Sequence, residues 1–180
     1  MDFYETTLNS KNIFSGRIIN LRLDEVILPN GTKSTREIVE HPGAIAVVPI
    51  NDKNEVMMVR QYRKAIEKEL LEIPAGKLER GESKVLCAER ELMEEIGYYP
   101  GELKHISSFF TSPGFSNEII HLFLAKKLIK KSKEGDFDEF LQLEKVPIRE
   151  AIRKIHDGEI MDGKTIVGLL LTLPIIQGGF

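Results

Sequence analysis

Apolar positions fall along the chain in short runs, most of them of strand length. Ile19, Leu21 and Leu23 alternate with polar residues, and Val26 and Leu28 continue on the other phase, which predicts a strand with a bulge where the phase changes. Pro29, Asn30 and Gly31 form a turn signal, and residues 34–40 read as the returning strand. The breaker His41, Pro42, Gly43 precedes residues 44–50, a continuous apolar run that predicts a strand covered on both faces. Further strands are expected at 55–62, 69–73, 103–110, 119–125 and 140–146. Helical periodicity marks residues 83–96, a segment opened by Pro147 that runs to about 155, and a last segment from 165 to about 173. Strands and helices mix without regular alternation. The expected class is therefore α+β, or a sheet sandwiched by helices, rather than a doubly wound parallel sheet.

The sequence has 180 residues, enough for one domain with a sizeable core. Its 25 Lys and Arg against 28 Asp and Glu give a formal net charge of −3. Such a chain has no bulk attraction to nucleic acid or to an anionic membrane, so a polyanionic ligand needs local basic groups or a bound cation. The single cysteine, Cys87, excludes an intramolecular disulfide and a Cys-rich zinc site, and fits a reducing compartment. The polar, acidic start carries no signal-peptide pattern. The apolar stretch 166–176, broken by Gly168 and Pro174, is too short to span a bilayer. A cytoplasmic enzyme or binding domain is expected.

Candidate chemistry is concentrated in residues 76–98. On a helix, Val85, Ala88, Leu92 and Ile96 share one arc, while Glu91, Glu94 and Glu95 fall together beside it. Glu91 and Glu95 are one turn apart, where like charges repel and a divalent cation would turn repulsion into binding. All-carboxylate oxygen ligation favours a hard ion, Mg²⁺ or Mn²⁺, that also meets phosphate oxygens. Taken alone, such a cluster is more often a solvated helix face. Cys87, one turn before Glu91, reads as a small packed residue.

The complete spacing changes that reading. Gly76 is followed after five residues by Glu82, and after seven more by Arg90-Glu91-Leu92-x-Glu94-Glu95-x-Gly97-Tyr98. This resembles the Nudix box, G-x5-E-x7-R-E-U-x-E-E-x-G-U with U a bulky apolar residue, and every defined position matches, Tyr98 most loosely. The resemblance implies an α+β fold of Nudix type, an α/β/α sandwich with a mixed β-sheet, plus N-terminal antiparallel strands. It implies Mg²⁺-dependent hydrolysis of a nucleoside diphosphate linked to another group, with Mn²⁺ a possible substitute. By position it makes Glu91 and Glu95 the principal metal ligands, Glu94 and Glu82 further metal-site carboxylates, and the carbonyl of Ala75 an additional ligand. Arg90 would position the glutamates through charge-assisted hydrogen bonds.

Pro113 lies 16 residues after Gly97, within Ser112-Pro113-Gly114, a loop similar to that of ADP-ribose pyrophosphatases. The similarity extends to residues 29–50, to Gln61-Tyr62-Arg63 and to residues 70–82. It implies substrate contacts by Ser112, Pro113 and Gly114, by Arg63 at the family's phosphate position, and by Arg36, since a guanidinium fork suits a diphosphate. Glu72 and Glu118 would flank the site. The water-activating carboxylate would directly precede the strand at 140–146, which selects Glu139, with Asp138 and Asp136 leaving the register open. It further implies a homodimer, with an N-terminal hairpin region 1–42 touching the partner and a catalytic domain 43–180. The expected activity is hydrolysis of ADP-ribose to AMP and ribose 5-phosphate. The rivals are a hydrolase of GDP-mannose or other ADP-sugars, and a non-catalytic nucleotide sensor. Retention of Arg90, Glu91, Glu94 and Glu95 together speaks against the sensor. No nucleic-acid or membrane partner is expected.

Overall fold

A computed structural model of the chain describes residues 2–131 and 140–178. The chain divides into two compact units: one runs to Gly43 and takes in Phe110–Ile119, the other comprises Ala44–Phe109 and the chain from Ile120 onward.

The smaller unit is a three-stranded antiparallel sheet of β1 (Thr6–Ser15), β2 (Asn20–Ile27) and β3 (Lys33–Glu40), with β2 in the middle. None of the residues of β1 is buried, its apolar Leu8, Ile13 and Phe14 included, and its pairing with β2 holds it in place. The bulge expected between Leu23 and Val26 is absent, because β2 pairs with β3 in unbroken register from Asn20↔Glu40 to Ile27↔Lys33. The irregularities lie instead at Thr7/Asn9 and Asn12/Phe14 on β1. The apparent change of phase has a polar cause. Asp24, only 3% exposed, occupies an inward position beside Val26, while Leu21 and Leu23 are half-buried on the other face. Asp24 is satisfied there by hydrogen bonds from Ser10 Oγ (2.6 Å) and Arg22 Nε (3.2 Å). Along β3, Val39 N–H donates to the Phe115 carbonyl (2.8 Å) and Asn117 N–H to the Val39 carbonyl (3.2 Å), which seats the 110–119 segment on that strand.

The larger unit contains β4 (Ala44–Pro49), β5 (Glu55–Arg63), β6 (Lys68–Glu72), β7 (Ala75–Lys77), α1 (Lys84–Ile96), β8 (Tyr98–Phe110), β9 (Ile119–Lys130), β10 (Gln142–Pro147), α2 (Ile148–His156) and α3 (Gly163–Ile176). One sheet has the order β7-β4-β9-β8, with β4 parallel to β9 and antiparallel to β7. The other is antiparallel, with the order β10-β5-β6. β4 explains the layering. Ile45 and Val47 join a cluster with Cys87, Ala88, Leu92 and Ile96 of α1. Ala46 and Val48, on the other face, join one with Ala151 of α2 and Leu169 of α3. The mixed sheet is thus covered by helices on both faces, as an apolar strand run requires.

Several boundaries differ from the sequence expectation. The strand expected at 69–73 ends at Glu72, before Pro74, and Ala75, Gly76 and Lys77 then pair with Ala46, Ile45 and Ala44 as a separate short strand, β7, that the sequence did not suggest. α3 begins at Gly163 because Asp162 caps it, accepting from Thr165 N–H at 2.9 Å. Phe140 is 91% exposed, and its strand starts at Gln142. Val85, expected on the packed arc of α1, is 48% exposed, and Glu91 is buried in that helix face instead. Among the described residues no helix is long and apolar enough to cross a membrane.

Candidate active site

β7 leads through a loop into α1, whose ends are fixed by local chemistry. Ser83 caps the start, its side chain accepting from Leu86 N–H at 3.2 Å. Gly97 ends the helix in the left-handed region, φ 73° and ψ 28°, with its N–H turned to the Leu92 and Met93 carbonyls. Between these ends the helix buries Cys87, Ala88, Glu91, Leu92 and Ile96. A carboxylate within that set has to be accommodated, and Gly76 of β7 provides the space. A Cβ built on Gly76 would fall on the Glu91 carboxyl group. Gly76 does not have positive φ, so the position requires the absence of a side chain rather than a special backbone.

Arg90 gathers the carboxylates. Its Nε donates to Glu82 Oε1 at 2.9 Å and one terminal nitrogen to Glu82 Oε2 at 3.0 Å, a bidentate pair. The other terminal nitrogen donates to Glu91 Oε1 at 2.6 Å and to Glu94 Oε2 at 3.0 Å. The bonds from Arg90 hold the Glu82 carboxyl down at about 2, and the same partners push the Arg90 guanidinium upward. Glu95 Oε2 accepts from the Ala75 N–H at 3.3 Å, tying the last box carboxylate to β7. Cys87 lies beside this network, and burial raises its thiol to about 12, which keeps it inert.

The donor chemistry fits a hard divalent cation: Glu82, Glu91, Glu94 and Glu95 offer only carboxylate oxygens, and the cradle at Gly76 admits Glu91. Among the described residues no three acidic, histidine or cysteine side chains already stand as a metal cage. Arg90 is the centre on which Glu82, Glu91 and Glu94 converge.

A second charged cluster lies at the ends of β5 and β6. Glu72 is fully buried and accepts a fork from Arg63, Nε to Oε1 at 2.8 Å and a terminal nitrogen to Oε2 at 2.7 Å. Lys164 also bonds Glu72 Oε2, and its Nζ lies 3.0 Å from Asp162 Oδ2. Burial works to raise the Glu72 pKa, but bonds from Arg63 and Lys164 prevail and hold it below the ordinary value. Arg63 is raised chiefly by Glu72, and also feels Asp162 and the box residue Glu95. The sequence reading named Arg63 and Glu72 but missed Lys164 and Asp162. Residues 92 positions apart meet here, and only the Asp162 capping pattern had a local signal.

Arg36, Ser112, Pro113, Gly114 and Glu118 belong to the smaller unit. Arg36 is engaged by Glu5, Nε to Oε2 at 2.9 Å and a terminal nitrogen to Oε1 at 2.5 Å. In the 110–119 segment, Phe115 N–H and Ser116 N–H donate to the Ser112 carbonyl at 3.1 and 2.9 Å, forming a tight turn through Pro113 and Gly114. Glu118 Oε2 accepts from Thr111 Oγ1 at 2.7 Å, and its Oε1 is 3.5 Å from His41 Nδ1. Glu139, Asp138 and Asp136 lie outside the described residues.

A mixed sheet between helices, with a glutamate-rich helix joined to its preceding glycine strand by one arginine, defines a hydrolase architecture of the Nudix type. Residues 40–166 match the family model of the NUDIX domain, and residues 5–39 that of the nucleoside diphosphate sugar hydrolase N-terminal domain. The chain belongs to the Nudix hydrolase family. It is 49% identical to the methanol dehydrogenase activator of Bacillus methanolicus, over 93% of this chain and 91% of that protein. It is 46% identical to the ADP-ribose pyrophosphatase of Bacillus subtilis (strain 168), over 89% and 88%. Its fold matches a solved ADP compounds hydrolase with a TM-score of 0.87 at 24% identity, covering 97% of this chain and 95% of that one.

Proposed function

We propose that this enzyme hydrolyses the pyrophosphate bond of ADP-ribose, giving AMP and ribose 5-phosphate, with Mg²⁺ as its cation and Mn²⁺ as a substitute. The observation that carries the reading is the closure of Glu82, Glu91 and Glu94 on Arg90, beside a glycine that leaves room for Glu91. The substrate is argued from the 46% identity to an ADP-ribose pyrophosphatase over most of both chains.

Glu91, Glu95, Glu94 and Glu82, with the carbonyl of Ala75, are the groups that would hold the cation. When bound, it neutralises diphosphate charge and polarises the phosphoryl oxygens. Arg90 keeps three of these carboxylates together and so reduces the repulsion among them. Arg63, oriented by its fork on Glu72, offers its guanidinium to the diphosphate. Hydrolysis adds a water oxygen to one phosphorus, the bridging oxygen leaves on the other phosphate, and the water's proton passes to a carboxylate. From the sequence we assign that proton to Glu139, with Asp138 beside it. Arg36, Ser112, Pro113, Gly114 and Glu118 are assigned to substrate recognition on the same ground.

We read the protein as a cytoplasmic homodimer. β1 buries none of its residues, and Leu8, Ile13, Phe14, Ile18 and Ile19 are exposed, an apolar surface that a second copy would cover. The 49% identity to a methanol dehydrogenase activator favours a second reading, in which the hydrolase activity serves to activate a dehydrogenase.

The test is a hydrolysis screen of ADP-ribose, GDP-mannose, ADP-glucose and deoxynucleoside triphosphates with Mg²⁺, with products identified by mass. Preference for ADP-ribose supports the reading, and preference for GDP-mannose replaces it. If ADP-ribose is turned over and an added methanol dehydrogenase is stimulated by the active enzyme but not by Glu95→Gln, the second reading holds.

A further inference from the structure

Two cations meet on one fully buried carboxylate: the Arg63 fork and Lys164 Nζ both bond Glu72. Three features fix this arrangement. Asp162 caps α3 by accepting from Thr165 N–H at 2.9 Å and Thr165 Oγ1 at 2.6 Å. Thr165 Oγ1 accepts in turn from the Ile73 N–H at 2.9 Å, which fastens the start of α3 to the residue after Glu72. Lys164 is therefore carried to Glu72 by backbone anchors on both sides. Its side chain is only 11% exposed, against 43% for Arg63. Of the two cations, Arg63 is the one open to an incoming ligand.

The charges explain why two cations are needed. Glu72, Asp162 and the box residue Glu95 all act on Arg63. Without Lys164, the charges of Glu72 and Asp162 would bear on one guanidinium uncompensated and weaken its attraction for a diphosphate. Lys164 bonds both Glu72 and Asp162 and offsets them.

We infer that Lys164 is a positioning residue: by sharing Glu72 with Arg63 and countering Asp162, it keeps the Arg63 guanidinium oriented and electropositive toward the substrate diphosphate. The inference rests on the proposed diphosphate-linked substrate, and it assigns Lys164 no direct contact with that substrate.

The experiment compares full-length wild type, Lys164→Met and Lys164→Arg, each also in an Arg63→Ala background. KM and kcat for ADP-ribose are measured, together with the affinity for inorganic pyrophosphate by titration calorimetry. Loss of one partly screened charge beside the site should raise KM about tenfold with little change in kcat. Lys164→Arg should restore most of it, and Lys164→Met should add nothing once Arg63 is alanine. A folded Lys164→Met with unchanged KM and unchanged pyrophosphate affinity overturns the inference. So does an equal rise in KM in both backgrounds, which would make Lys164 an independent contact. If Lys164→Met does not fold, Lys164→Gln removes the charge, keeps a donor and carries the same expectation. If the wild type does not turn over ADP-ribose, the substrate reading fails by itself. Lys164 is then judged on pyrophosphate affinity, which should still weaken in Lys164→Met.

Discussion

Gly76→Ala tests the packing logic of the site in one atom. The added Cβ falls on the Glu91 carboxyl group, and the backbone has no positive φ to complicate the change. Glu91 is 8% exposed and bonded to Arg90 at 2.6 Å, so it cannot yield without losing that contact. A hydrogen bond between charged groups is worth roughly 1.5–3 kcal/mol, and overpacking costs a similar roughly 1–3 kcal/mol. The expected destabilisation is about 3 kcal/mol, shared between the lost bond and the strain. If Glu91 holds the cation, its displacement also removes part of the several kcal/mol that the cation supplies to the transition state, and each ~1.4 kcal/mol lost is about tenfold in kcat. The assay is kcat for ADP-ribose across a Mg²⁺ titration, with thermal unfolding in parallel. Gly163→Ala is the control, since a Cβ there meets nothing within 4 Å, and its Tm and kcat should stay near wild type. A Gly76→Ala enzyme with wild-type kcat and Mg²⁺ dependence would refute the placement of Glu91 and its role together.

Three further outcomes are expected. Arg63→Ala should raise KM for ADP-ribose strongly while Arg63→Lys recovers only part, because lysine cannot reproduce the fork on Glu72; steady-state kinetics on both variants decide it. Glu139→Gln should lower kcat roughly 10²–10⁴-fold with KM little changed, and Asp136→Asn much less; a crippled Asp136→Asn would move the base to that residue. Arg90 depresses the Glu82 carboxyl from 4.5 to about 2, so its stabilisation is present above pH 4.5 and is lost as pH falls toward 2. Thermal unfolding between pH 7 and pH 3 should show this acid loss in wild type and a shallower one in Arg90→Met.

The glutamate-rich helix α1 was legible because its signal is a spacing along the covalent chain, from Gly76 through Glu82 to Gly97. The layers were legible from β4, whose unbroken apolar run needed cover on both faces. The burial of Glu91 was not. Hydrophobic patterning places a glutamate outside the packed arc, and only Gly76 and Arg90, brought together by the fold, make its place in the core tolerable. The N-terminal antiparallel strands were expected, and β1 among them is held by main-chain pairing with β2 rather than by burial. The inward Asp24 made a regular strand read as a bulged one. Lys164 was invisible because its meaning lies in Glu72, far away in sequence, and a lone lysine at a helix start reads as surface charge.

The glutamates gathered around Arg90 should drive hydrolysis of ADP-ribose with Mg²⁺. The most direct measurement is mass analysis of products from ADP-ribose incubated with wild type and with Glu95→Gln, each with Mg²⁺ and with excess EDTA. AMP and ribose 5-phosphate are expected from wild type with Mg²⁺, none with EDTA, and a loss of several orders of magnitude in a folded Glu95→Gln, since the cation supplies several kcal/mol of transition-state stabilisation. Intact ADP-ribose in every sample, or a Glu95→Gln enzyme as fast as wild type, would contradict that expectation.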